Sequence, residues 1–178
     1  MKIRWYRFNI YLAVALAAAA VCGCRTSSES KAKKQLSTLR LHMEAGRDAS
    51  EATQLVPIYR QHPFMVNVQK MPFLNESNVS GAKVVDVVGG FALRIQFDHA
   101  GAALLEQYTV ANRGRKIAVF SQFGEEIKTL RWLAAPFISR RIIDGVFVFT
   151  PDANREEAEE IARGLNNVVK KTRTWIDK

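Results

Sequence analysis

The strongest constraint on the fold lies near the end of the chain. Ala158, Ile161, Ala162, Leu165, Val168 and Val169 recur at helical spacing, a single apolar stripe that has to be buried against another element. Asn154 followed three residues later by Glu157 makes a capping-box-like start, with Asn where Ser or Thr is commoner. Glu156, Glu157, Glu159 and Glu160 crowd the first turns and Lys170 and Lys171 the end, a polarity that suits the helix dipole. Gly164 inside the stripe costs about 1 kcal/mol against alanine, so a close approach of the neighbouring sheet is expected there.

The preceding residues say what that helix packs on. Leu39, Leu41 and Met43 alternate with Arg40, His42 and Glu44 within 36–45, which predicts a strand buried on one face, with His42 turned to solvent. Residues 56–60 read as short and extended around Pro57, residues 64–68 as a strand, and 71–81, with Pro72, Asn75 and Asn78, as a connection. The apolar, β-branched runs 82–88 and 91–97 are divided by Gly89-Gly90, and a glycine pair supplies the positive φ of a hairpin turn. Asp98 is placed to cap a helix over 99–112 with Ala102, Leu105 and Tyr108 on its apolar face, Leu104 alongside, and Arg113-Gly114 at its end. Strands are predicted over 116–123 and 126–133, turned at Gly124, and Pro136 then interrupts. Runs 137–143 and 146–149 flank a turn at Asp144-Gly145. The order is strands, helix, strands, helix, and the fold class is α+β. The economical packing is a mainly antiparallel sheet with two amphipathic helices on one face.

The start of the chain has a different character. Lys2, Arg4 and Arg7 precede an alanine-rich apolar run over 10–21. A helix of that length spans about 18 Å, short of the roughly 30 Å hydrocarbon core, so it reads as an export signal. Val21-Cys22-Gly23-Cys24 resembles the bacterial lipobox, an aliphatic residue and two smaller ones before a cysteine. That resemblance implies cleavage after Gly23 and lipidation of Cys24, whose diacylglycerol and amide-linked acyl chain exceed what stable anchoring needs. The expected divisions are a lipoprotein signal peptide over 1–23, a polar basic tether over 24–35, N-terminal strands and a connection over 36–81, the α+β domain over 82–171, and a tail over 172–178. Localisation is expected in the cell envelope, facing the periplasm, with the choice of membrane open.

Losing Lys2, Arg4 and Arg7 with the leader takes the formal charge from +9 to +6. Arg25, Lys31, Lys33 and Lys34 stand directly after the anchor site, where each basic residue gains about 1 kcal/mol from anionic headgroups. No basic face interleaved with stacking aromatics is evident, so no nucleic-acid partner is expected. Cleavage removes Cys22 and lipidation consumes Cys24, leaving the folded body without a thiol for disulfides, nucleophilic catalysis or metal binding. His42, His62 and His99 show no i+4 pair, and no G-x-S-x-G or phosphate-loop pattern occurs. Neither enzyme activity nor any metal, cofactor or small-molecule substrate is expected. Gly89-Gly90 serves a turn, and Asp98 and Glu156 to Glu160 serve helix ends.

One surface invites a sharper reading. Arg131, Trp132, Arg140 and Arg141 lie close in sequence, and an exposed Trp among arginines would suit protein recognition. The alternative, which we favour, puts Trp132 in the core and leaves the arginines solvated.

From Ala82 onward the residues also resemble a known family, the head subdomain of the first periplasmic domain of SecD, a Sec translocase subunit. The family's Asp-x-x-Gly-Ala helix is matched by Asp98, Gly101 and Ala102, and its Thr-x-x-Asn-x-Gly by Thr109, Asn112 and Gly114. Ile117-Ala118-Val119-Phe120 matches the strand that follows, and Leu133-Ala134-Ala135-Pro136 the end of the next. Phe149-Thr150 and Glu156-Glu157-Ala158 match its close, with 151–155 as extra length. The likeness covers about 82–170, with 36–70 as a weaker counterpart of the strands before the head. It implies a mobile, non-catalytic module that contacts emerging polypeptide, with Sec components or exported chains as partners. The membrane helices that carry the proton relay of that family are not in this sequence, so a proton-driven role is not implied. The expected function is a membrane-anchored lipoprotein that binds proteins or unfolded polypeptide. Its alternative is a structural envelope lipoprotein with a fixed neighbour.

Overall fold

The computed structural model describes residues 35–46 and 51–176. Cys24, the expected leader before it and the expected tether as far as Lys34 lie outside the described residues. Among the described residues nine strands form: β1 (Thr38–Met43), β2 (Thr53–Ile58), β3 (Phe64–Gln69), β4 (Leu74–Asn75), β5 (Val79–Val87), β6 (Gly90–Phe97), β7 (Ile117–Phe123), β8 (Thr129–Ala134) and β9 (Val146–Phe149). Helix α1 (His99–Ala111) follows β6, and α2 (Arg155–Ile176) closes the chain. Every strand pairing is antiparallel. The strands are divided among three sheets, with orders β4-β1-β7-β8, β2-β3 and β5-β6-β9.

The main core lies between the four-stranded and three-stranded sheets and α2. Ala158, Ile161, Ala162 and Leu165 of the α2 stripe are buried against Leu39, Leu93 and Phe123, among others, while Val168 and Val169 are half-buried. The capping box is complete. Asn154 Oδ1 accepts the Glu157 N–H at 2.7 Å, and Glu157 Oε2 accepts the Asn154 N–H at 3.0 Å. The expected close approach at Gly164 is made by the segment leading into β1, since a Cβ there would lie 2.7 Å from the Ser37 backbone nitrogen.

A second, smaller core explains the largest departure from expectation. Val56, Ile58, Val66 and Val68 of the β2–β3 hairpin bury against Ala118 and Ala135, with Trp132 packed alongside. The hairpin therefore covers the His42 end of the second face of β1, where Arg40 farther along stays exposed. Leu41, His42 and Met43 are consecutively buried, and His42 does not face solvent. Its Nδ1 meets the Gln69 carbonyl at 2.8 Å, and its ring stands edge-on to Trp132 at 5.1 Å.

Other boundaries move for local reasons. The expected connection over 71–81 holds β4, which pairs Leu74 with Leu41, a 3-10 turn at Glu76–Asn78 capped by Asn75, and the start of β5. The strand expected from 126 begins at Thr129. Gly124, Glu126 and Ile127 all take positive φ in the turn before it, which uses up residues the apolar pattern had assigned to the strand. Residues 137–143 form no strand. Only a bridge between Phe137 and Lys116 is made there, because the backbone of this segment bonds to the turn after α1.

Candidate functional site

The residues that hold this irregular segment are those of the helix motifs. At the start of α1, Asp98 accepts the Gly101 N–H at 2.7 Å and so caps the helix. A Cβ on Gly101 would lie 2.9 Å from Asn78 Cβ, closer than side chains pack, so glycine lets the helix begin against the 3-10 turn. One residue on, Ala102 faces Gly145, where a Cβ would lie 2.6 Å from Ala102 Cβ. Gly145 has φ +64°, and its carbonyl accepts the Phe97 N–H at 2.9 Å. The first turn of α1 thereby fixes the entry into β9.

The other end of α1 holds the segment itself. Thr109 is buried, donates to the Leu105 carbonyl at 2.7 Å and accepts the Ile142 N–H at 3.1 Å. Asn112 donates to the Tyr108 carbonyl at 3.0 Å and helps end the helix. Gly114, at φ +83°, donates its N–H to the Ile138 carbonyl at 2.9 Å. Ile138 in turn donates to the Arg115 carbonyl at 2.8 Å, and Arg113 Nε to the Ser139 carbonyl at 3.3 Å.

Between the suspended segment and β9 lies a groove of about 560 Å³, within the size range of ligand sites. Ile117, Ile142 and Phe147 help form its walls. Phe137 and Ile143 stand 66% and 68% exposed along it, and Val148 47%. Lys116 Nζ sits 4.6 Å from the centre of the Phe137 ring and pairs with Glu44 at 3.0 Å. A second depression, about 680 Å³, lies at the base of the hairpin. No motif residue lines it.

The four residues singled out as a partner surface are not gathered into one. Arg131 and Trp132 are successive on β8 and so turn to opposite faces. Arg131 grips Glu157 through two bonds of 2.9 Å and donates to the Asp152 carbonyl at 3.1 Å. The bonds from Arg131 hold the Glu157 carboxyl below the usual carboxylate range. Trp132 is half-buried between His42 and Phe120 over the hairpin core. Arg140 and Arg141 alone line the groove, and Arg141 pairs with Glu106 of α1. Burial pushes the His42 imidazole below its ordinary value, against the opposing effect of the Gln69 carbonyl. Among the described residues, no group of three or more His, Cys, Asp or Glu could hold a metal ion, and no helix is long and apolar enough to cross a membrane.

The family model for the P1 head subdomain of SecDF matches residues 52–167. The chain belongs to the SecDF P1 head family. The match opens at residue 52 rather than near 82, so the β2–β3 hairpin is part of the head rather than a separate preceding element. A solved structure of SecDF, described as a membrane component that enhances protein export, shares 20% identity with a TM-score of 0.52, covering 80% of this chain and 67% of that one. SecDF in its super-membrane-facing form shares 21% identity with a TM-score of 0.53, covering 77% of this chain and 20% of that one. At these identities the likeness is one of fold, and the chain spans a fifth of the longer relative. No curated protein sequence matches it. In this family member the motif residues Thr109 and Gly114 are the supports of the groove wall, a role their spacing in sequence did not disclose.

Proposed function

We propose that this P1 head protein is a lipid-anchored envelope protein that binds non-native polypeptide in the groove between residues 136–144 and β9, in the service of protein export. One observation carries the reading. The motif residues Ala102, Thr109 and Gly114 hold backbone that borders this groove, Ala102 against Gly145, Thr109 on the Ile142 N–H and Gly114 on the Ile138 carbonyl, so the motif supports its shape as well as the core. Exposed Phe137, Ile143 and Val148 offer apolar contact that accepts many sequences, and Arg140 and Arg141 add charge. A groove with no convergent acid–base pair suits binding rather than turnover. In this reading Arg131 and Trp132 are supports of the fold, and Arg140 and Arg141 are the arginines that meet a partner. Its place is the periplasmic side of a membrane, held there by acyl groups on Cys24.

Two measurements test the two halves. A reduced, carboxymethylated model protein should bind the purified chain, and Phe137→Asp combined with Ile143→Asp should weaken that binding at least tenfold at unchanged melting temperature. Equal binding by the double variant would overturn the groove reading. Cys24→Ser should abolish radiolabelled palmitate incorporation and move the protein out of the membrane fraction, and unchanged labelling would overturn the anchor.

A further inference from the structure

The three-stranded sheet has two edges, and they are treated differently. Phe97 donates its N–H to the Gly145 carbonyl, which sets the alternation along the β6–β9 ladder. Ile95 with Phe147 and Leu93 with Phe149 are then the hydrogen-bonded pairs, and Val146 and Val148 turn their backbone groups to the outer edge. The Val146 N–H is taken by Asp144 Oδ1 at 3.1 Å. Val148 sits on the groove with its outward N–H and carbonyl facing no other strand among the described residues. At the opposite edge the same alternation turns the Ala82 backbone outward, and there Asn166 bonds both of its groups. One edge is closed by a side chain of α2 and the other opens on the groove.

We infer that the groove takes its polypeptide as an added strand, in extended form, hydrogen-bonded to the β9 edge at Val148. This rests on the polypeptide-binding reading above and names how the occupant is held. An added strand presents alternate side chains to a groove wall, where Phe137 and Ile143 meet them, while main-chain bonds supply affinity without regard to sequence. Arg140 lies along the groove with no acidic partner among the described residues, so an extended segment carrying an acidic residue beside it fits best. A helical segment satisfies its own backbone and gains nothing from this edge.

The test uses the purified full chain and a fluorescein-labelled nonapeptide of alternating Thr and Val with Glu at each end, read by anisotropy. Val148→Pro removes the edge N–H, a change that edge strands tolerate, and should weaken binding at least tenfold, while Val148→Ala, which keeps the N–H and loses only side-chain contact, should weaken it clearly less. The same peptide N-methylated at alternate residues, on the face that meets β9, should lose binding to the unaltered chain, which keeps the test independent of whether the proline variant folds. If both the proline variant and the N-methylated peptide bind as well as their parents, strand addition is overturned while groove binding stands. If neither the peptide nor the carboxymethylated protein binds at all, the polypeptide reading itself fails.

Discussion

Asn166 of α2 reaches β5 and satisfies both backbone groups of Ala82, accepting its N–H at 2.9 Å and donating to its carbonyl at 2.8 Å. The side-chain amide takes the place of a neighbouring strand at an edge where an open backbone would invite self-association. Asn166→Ala leaves both groups without a partner and is expected to cost about 1–3 kcal/mol of stability. Asn166→Asp keeps the acceptor but sets a carboxylate against the Ala82 carbonyl, and should be at least as damaging. Urea denaturation of both variants checks this, and losses under about 0.5 kcal/mol would show the contact to be incidental.

Gly164 is a sharper case. Its Cβ would fall 2.8 Å from the Leu36 carbonyl carbon as well as against Ser37, and these are backbone atoms that cannot swing aside. Gly164→Ala should therefore destabilise the protein by about 1–3 kcal/mol, although helix propensity alone would favour it by about 1 kcal/mol. A rise in melting temperature would contradict the packing described for α2 and β1.

Thr109→Val keeps the shape of the side chain and removes the acceptor for the Ile142 N–H. The cost in stability should be about 1–2 kcal/mol. The more specific readout is hydrogen exchange. Exchange at Ile142 should accelerate while that of the β7 amides is unchanged, and uniform acceleration across both would mean that Thr109 supports the core rather than the groove wall.

Two groups make stability depend on acid. The His42 imidazole is depressed by burial, so the unfolded chain binds more protons between the ordinary histidine value and the native one. Stability is full above the ordinary value and falls as pH drops through that window. Glu157 is depressed through Arg131. Its contribution is present above the ordinary carboxylate value and is lost as pH falls toward its native pKa, in a lower window. Urea titrations across pH should show both slopes, the first abolished in His42→Gln and the second in Arg131→Ala. A first slope that survives His42→Gln would assign it elsewhere.

Much of the fold was legible because the apolar pattern is local. The α2 stripe, its Asn154–Glu157 cap, the hairpin at Gly89 and Gly90 and the Asp98 cap all depend on residues a few positions apart. The burial of His42 was not legible, since the alternation in β1 says one face is covered and cannot say that a hairpin from later in the chain covers one end of the other. Residues 137–143 misled for a related reason. Their apolar side chains read as a strand, but their backbone partners are Thr109, Gly114 and Arg115, which no period within the segment reports. The Thr109 and Gly114 motif carried the signal for the groove wall, but only the folded arrangement shows what it holds.

We propose above that the groove beside β9 binds polypeptide during export. The most direct test places a photo-crosslinking phenylalanine at Phe137 in the full chain, in cells expressing a secreted protein stalled during export. A second cross-linker at Leu55, on the exposed outer face of the β2–β3 hairpin, serves as control. Adducts with the stalled polypeptide are expected from position 137, diminished by Val148→Pro, and few from position 55. Equal yields from both positions, or none from 137 while the stalled chain is abundant, would contradict it.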